Sequence, residues 1–260
     1  MCRSVHDLVK LPGMSRALLL PVLAVLCWMA LAGRAWGGPP FLTDDPEPTE
    51  PGHWEIYGPV TEVDGRCTDF AGSTGVELNY GLASDVQLTL GLPLAFTHDA
   101  AGSRMGAGDV EASLKYRIVN DEASRVQLAV FPGLTFPTAR TGLGAGRATA
   151  LLPVWAQKDM GAWSVFGGGG YAINPGAGNR DYWTGGLALS HQVTGGLLLG
   201  AEVDRKSADT QEGHGSTSLG LGAIVKLGGP LRLLASAGPT FDDGETAAGY
   251  HAYLALGWDY

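Results

Sequence analysis

The stretch Val86–Phe96, VQLTLGLPLAF, decides how the chain is read. Val86, Leu88, Leu90, Leu92, Leu94 and Phe96 fall on one side of an extended backbone, and Gln87, Thr89, Gly91, Pro93 and Ala95 fall on the other. Successive side chains of a strand point to opposite faces, so this alternation predicts a strand whose faces meet two different surroundings. The pattern recurs over 109–119, with Val110, Ala112, Leu114, Tyr116 and Ile118 opposite Glu111, Ser113, Lys115 and Arg117. It recurs again over 125–136, where Val126, Leu128, Val130, Leu134 and Phe136 oppose Arg125, Gln127, Gly133 and Thr135.

Beyond Pro51 no 3.6-residue period is sustained. Alternating segments lie near 54–63, 69–80, 86–96, 108–119, 125–137, 148–158, 163–174, 181–191, 197–206, 215–227, 231–240 and 250–260. The tight turns GLASD, NDEAS, DMGA, VTGG and LGGP alternate with longer polar loops around 97–107, 138–147, 175–181, 207–214 and 241–249, and only the first loop, near Asp64–Thr68, is short. Short turns at one end and long loops at the other predict a transmembrane antiparallel up-and-down β-barrel of about twelve strands, roughly 10 to 14.

A soluble β-sandwich or lipocalin-like barrel would alternate as well, and the aromatic residues separate the two. With the chain starting on the periplasmic side, the outward Trp54, Tyr80, Tyr116, Trp163, Trp258 and Tyr260 fall near that rim. Phe96, Phe136, Trp183 and Tyr250 fall near the opposite rim. Two aromatic girdles around a band of Leu, Val and Ala suit a barrel in contact with lipid, because amphipathic rings settle at headgroup level. The last segment, YHAYLALGWDY, sets Tyr250, Ala252, Leu254, Leu256, Trp258 and Tyr260 on one face, and it resembles the C-terminal strand by which outer-membrane proteins reach their insertion machinery. Pro59, Pro93, Pro132 and Pro153 lie inside proposed strands, where each removes a ladder hydrogen bond, and are expected at bulges or rims.

Residues 1–37 read as a signal peptide: Arg16 precedes the apolar run Ala17–Ala32, and small residues follow around Ala35 and Gly37, with Met14 a candidate start. Cleavage near Gly37 removes Arg3, Lys10, Arg16, Arg34 and Asp7, taking the formal charge from −9 to −12. So acidic a chain is not built for nucleic acid. Cleavage also removes Cys2 and Cys27, which leaves Cys67 with no intramolecular disulfide expected. The remainder divides into a Pro/Asp-rich periplasmic segment, 38–52, and a barrel, 53–260.

The glycine run GGGGYAINPGAGNRDYWTGG, Gly167–Gly186, invites comparison with a phosphate cradle, but neither a helix nor a Lys-Ser/Thr follows it. As part of a hairpin, Gly168 and Gly170 face the lumen and allow another segment to pack close against the wall. Ser190 and His191 are adjacent and point to opposite faces of their strand, so they do not form a nucleophile–base pair. No metal-ligating spacing recurs among the histidines and acids. We therefore expect no catalytic residue, metal or cofactor.

The inward face carries Glu77, Glu111, Lys115, Arg117, Glu202, Asp204, Lys226 and Arg232 as candidate pore-lining charges. Charges of both signs in a narrow barrel make a polar path or neutralise one another in a packed plug. The acidic 38–52 segment, with Asp44, Asp45 and Glu47, is a candidate gate that enters the periplasmic mouth and meets the basic cluster there.

The stretches GPPFLTDDPEPTEPGHWEIY, GDVEASLKYRIV, FPTAR, LLPVWAQKDMGAWSVFGGGGYAINPGAGNRDYW and LLLGAEV together resemble the outer-membrane transporter family named for the meta-cleavage pathway of phenol degradation. The resemblance implies a barrel in the outer membrane of a Gram-negative bacterium that passes small, aromatic or hydrophobic compounds. Its expected partners are outer-membrane lipids, the insertion machinery and a small-molecule substrate, and its oligomeric state is left open. A structural or surface-interaction barrel, and then an outer-membrane lipid-modifying enzyme, are the rival readings.

Overall fold

A computed structural model describes residues 40–260. The expected signal peptide, 1–37, and the start of the segment that follows it lie outside the described residues. The strands are β1 (Trp54–Arg66), β2 (Asp69–Ala83), β3 (Val86–Asp99), β4 (Gly102–Ala107), β5 (Val110–Asp121), β6 (Val126–Val130), β7 (Gly133–Phe136), β8 (Thr149–Met160), β9 (Trp163–Ile173), β10 (Tyr182–Thr194), β11 (Leu197–Lys206), β12 (Ser216–Gly228), β13 (Leu231–Asp242) and β14 (Gly249–Asp259). Both β4 and β5 pair with β3, and both β6 and β7 pair with β5 and β8, so each of these pairs is one stave in two lengths. Pairing of β1 with β14 closes an antiparallel barrel of twelve staves.

The apolar side of each stave faces outward. Leu88, Leu90, Leu92 and Leu94 are exposed, whereas Gln87 beside them is 4% exposed and points inward. Leu187, Leu189, Leu199, Leu219, Leu221 and Leu254 continue this exposed apolar band around the wall. A contiguous apolar belt is costly in water and suits lipid. At the short-turn end Trp54 meets Tyr80 at 4.7 Å and Trp163 meets His191 at 4.2 Å, both with tilted rings. At the long-loop end Tyr171 meets Trp183 at 5.0 Å and Phe70 meets Phe96 at 6.3 Å.

The prolines mark where the ladders break. Gly58 and Pro59 stand opposite a single residue of each neighbour, Leu256 in β14 and Val76 in β2, so β1 carries one extra residue between Tyr57 and Val60. Pro132 separates β6 from β7, and Pro153 lies opposite that break, with its carbonyl accepting the Phe131 N–H at 3.1 Å. Pro93 sits where β3 changes partner from β5 to β4. A missing N–H is tolerated in a closed barrel only where no neighbour needs it.

Two details differ from the sequence expectation. The polar loop expected at 97–107 is mostly strand: β3 runs to Asp99, and β4 pairs back along it from Gly102. Cys67 is disulfide-bonded instead of standing alone. The buried apolar core lies inside the barrel, where Tyr57, Phe166, Ala188, Leu198, Ile224, Leu234 and Ala255 surround Phe41.

Candidate functional site

The lumen is occupied by the chain's own N-terminal segment. It enters at the short-turn end, where Pro51 bridges Gly81 and the Gly52 N–H donates to the Gly81 carbonyl at 2.7 Å. The Thr49 N–H donates to Gln87 Oε1 at 2.7 Å. Gln87 Nε2 donates to Asn79 Oδ1 at 2.9 Å, and Asn79 Nδ2 donates to Glu77 Oε1 at 2.8 Å. Deeper in, Asp44 and Asp45 meet the buried Lys115 ammonium at 3.1 and 3.6 Å. The Leu42 and Thr43 N–H groups both donate to the Glu202 carboxylate at 3.0 Å, and Ser236 Oγ donates to the Pro40 carbonyl at 2.5 Å.

This docking explains glycines that local conformation does not require. Phe41 meets Phe166 edge-to-face at 5.8 Å. A Cβ at Gly222 would lie 2.6 Å from the Phe41 ring, one at Gly200 would overlap the ring, and one at Gly186 would overlap Thr43 Oγ1. Glycine thus leaves room on the inner wall for a second backbone. The run Gly167–Gly170 lies within β9 and is barrel wall, with Gly168 beside the inward Trp155 ring.

The remaining pore-lining candidates separate by height. Arg117 pairs with Asp85 at 2.9 Å at a short turn. Arg232 bonds Glu55, Asp259 at 2.7 Å and the Tyr57 hydroxyl at 3.1 Å, and Lys226 pairs with it in the ladder at the same end. Higher up, Glu77, Glu111, Glu202 and Asp204 project from β2, β5 and β11. The gate candidates Asp44 and Asp45 are brought to Lys115, and Glu47 offers its carbonyl to the same ammonium at 3.5 Å. Lys115, one of the basic residues expected at that mouth, thus partners both aspartates. The rim aromatics Trp54, Tyr116, Trp163, Trp183, Trp258 and Tyr260 are all exposed on the outer wall.

Above the segment, toward the long loops, lies a cavity of about 460 Å³. Asp44 contributes to its floor, while Glu111, Phe131, Trp155 and Tyr182 line it. The loop after β7 helps to form its mouth through Ala145. That loop is pinned by Asp109, whose carboxylate accepts the Ala139 and Ala145 N–H groups at 2.9 and 2.8 Å. Two carboxylates with no sequence signal also enter the lumen. The insertion at Gly58–Pro59 reverses the facing of the rest of β1 and pairs Glu62 and Asp64 with the inward Tyr253 and His251.

Ser190 is buried inside the barrel, whereas the His191 ring lies against Trp163. Among the described residues no group of three His, Cys, Asp or Glu is placed to hold a metal ion.

No family model and no curated protein matches the chain. Its fold is similar to an outer-membrane channel of Pseudomonas putida F1, with 17% identity, coverage of 86% of this chain and 100% of that one, and a TM-score of 0.64. It is also similar to the NanC porin (9% identity, 76% and 98% coverage, TM-score 0.55). A third likeness is to the translocator domain of the autotransporter NalP from Neisseria meningitidis (13% identity, 80% and 88% coverage, TM-score 0.51). The chain has the fold of outer-membrane β-barrels.

Proposed function

We propose that the protein is an outer-membrane channel that passes small molecules along its barrel axis, with residues 38–52 as its gate and no covalent step. The observation that carries this reading is a lumen with two levels: an open, aromatic- and acid-lined cavity above, and a segment held by reversible polar contacts below. A wall filled by its own side chains would need no such segment. The resemblance to the phenol meta-pathway transporters, and the aromatic lining itself, favour aromatic or hydrophobic cargo. Export by the signal peptide, residence in a Gram-negative outer membrane and insertion through the C-terminal strand belong to the same reading. The fold likeness to the Pseudomonas putida channel and the NanC porin supports passage over catalysis. The placement of Ser190 and His191 on opposite sides of the wall does the same.

The test is single-channel conductance of the refolded protein in a planar bilayer, with the reversal potential measured under a salt gradient. Steady or gated conductance is expected. A folded barrel that stays silent under all conditions would favour the structural or surface-interaction reading, for which the filled lower lumen is the supporting observation.

A further inference from the structure

The outer cavity has a charge character that passage alone does not specify. Its lining includes three carboxylates, Asp44, Glu111 and Asp209, and no Lys or Arg. Asp44 is tied to Lys115 and Asp209 to Lys206 at 2.9 Å. Among the described residues, no Lys or Arg lies within 4.0 Å of the Glu111 carboxylate. The lumen repeats this asymmetry: Lys115, Arg117, Lys206 and Arg232 are each paired with carboxylates, whereas among the described residues no Lys or Arg lies within 4.0 Å of the Glu62, Asp64, Glu77 or Asp204 carboxylates. The uncompensated field inside the barrel is therefore negative, and a walled cavity concentrates that field.

The aromatic lining narrows the occupant. Phe131, Trp155 and Tyr182 present ring faces or edges to the cavity, and such faces attract cations. Lys115 shows what these groups hold, since its ammonium lies 3.1 Å from Asp44 and 4.8 Å from the Phe131 centroid. Both Asp44 and Phe131 also line the cavity. A cation arriving from the long-loop side thus meets the very groups that fasten the segment.

We propose that this cavity receives an organic cation, an ammonium on an aromatic or apolar body, which binds at Glu111 and competes with Lys115 for Asp44, so that cargo arrival loosens the N-terminal segment. The proposal rests on the channel reading and adds to it a substrate class and a trigger. The volume suits a single-ring amine, since small-molecule sites span roughly 300–1,000 Å³.

The experiment compares three probes of one shape, 2-phenylethylammonium, 2-phenylethanol and 3-phenylpropanoate, on the refolded protein. Binding is measured by calorimetry in micelles, and opening is measured in a bilayer with the probe on the long-loop side. The ammonium should bind about tenfold or more tightly than the alcohol, in line with a charge-assisted contact, and it alone should raise the open fraction. Glu111→Gln should reduce its affinity to that of the alcohol. Phe131→Leu, which keeps the apolar bulk, should weaken it only about threefold. Heat-shifted gel migration establishes that each variant is folded. Equal binding of all three probes, or an ammonium preference that survives Glu111→Gln, would overturn the proposal. Passage of all three with no preference would sink the cation site and leave the channel standing, whereas tight ammonium binding with no conductance would sink the channel and leave the site.

Discussion

The two levels of the lumen are built on opposite principles. Below, the segment 40–50 is sewn to the wall: Phe41 packs among inner-wall glycines, Glu202 accepts two backbone N–H groups, and Lys115 is enclosed by two aspartates. Above, about 460 Å³ stands open, with no Lys or Arg within 4.0 Å of Glu111 among the described residues. On the channel reading proposed above, the barrier to passage is a separate piece of chain, and the wall encloses the path around it. The closed level is fastened by an ion pair and backbone hydrogen bonds, whereas the open level leaves Glu111 as the one of its three carboxylates with no Lys or Arg within 4.0 Å among the described residues.

Deleting residues 38–49 is the strongest way to break this comparison. If the segment is the barrier, single-channel conductance should rise at least about tenfold, because a pore's permeability follows its narrowest, least hydrated section. Unchanged conductance would reduce the segment to a linker and place the constriction elsewhere.

Lys115→Met sharpens the comparison at one contact. It leaves Asp44 and Asp45 facing each other without a cation, and removing one member of a buried pair costs about 3–5 kcal/mol. The segment should then undock part of the time, which would be read as flickering open events between the wild-type and deletion levels. Adding Asp44→Asn and Asp45→Asn should quieten them again. Flicker that persists in the triple variant would mean that Lys115 holds the wall instead of the gate.

A smaller effect is expected from Gly222→Ala. Its Cβ would stand 2.6 Å from the Phe41 ring, and overpacking of this kind costs about 1–3 kcal/mol. Phe41→Leu should relieve part of the loss. Thermal melting with and without that second change measures it, and identical melting of Gly222→Ala and wild type would contradict close docking of Phe41.

The barrel was readable in the chain because its cause is local. Alternation such as Leu88 to Leu94 needs no knowledge of what lies across the lumen, and the aromatic rims repeat at stave ends. Even the broken staves carried their sign, since Pro59, Pro93, Pro132 and Pro153 each stand at a ladder defect. The lumen was less readable because its facts are long-range. The acidic segment was expected to meet the basic residues of the mouth, but its pairing with Lys115 in particular, 71 positions from Asp44, had no local signal. Phe41 lies among prolines and shows no period. The one available hint was glycine at inward positions 186, 200 and 222, where a wall strand has no local need of it. Glu62 and Asp64 were hidden by the one-residue bulge at Gly58–Pro59, because a facing assignment carried past one extra residue is inverted.

The long-loop rim offers the smallest effect and tests whether the mouth is set independently of the gate. Arg205 makes two bonds to the Asp243 carboxylate, at 2.8 and 2.5 Å, tying β11 to the loop before β14. That hydrogen bonding holds the Asp243 carboxyl below the usual carboxylate range. A depressed folded-state value means that the tie is fully present above the ordinary Asp range, about 3.9, and is lost only as pH falls through the lowered value. Hydrogen exchange of residues 243–248 should therefore be flat from neutral pH down to about 4, once corrected for intrinsic rates, and should rise only below it. Arg205→Gln should remove the step while leaving conductance at neutral pH unchanged. If that variant altered the conductance, the outer rim and the segment below would be one coupled gate, and the division of the lumen into two independent levels would fail.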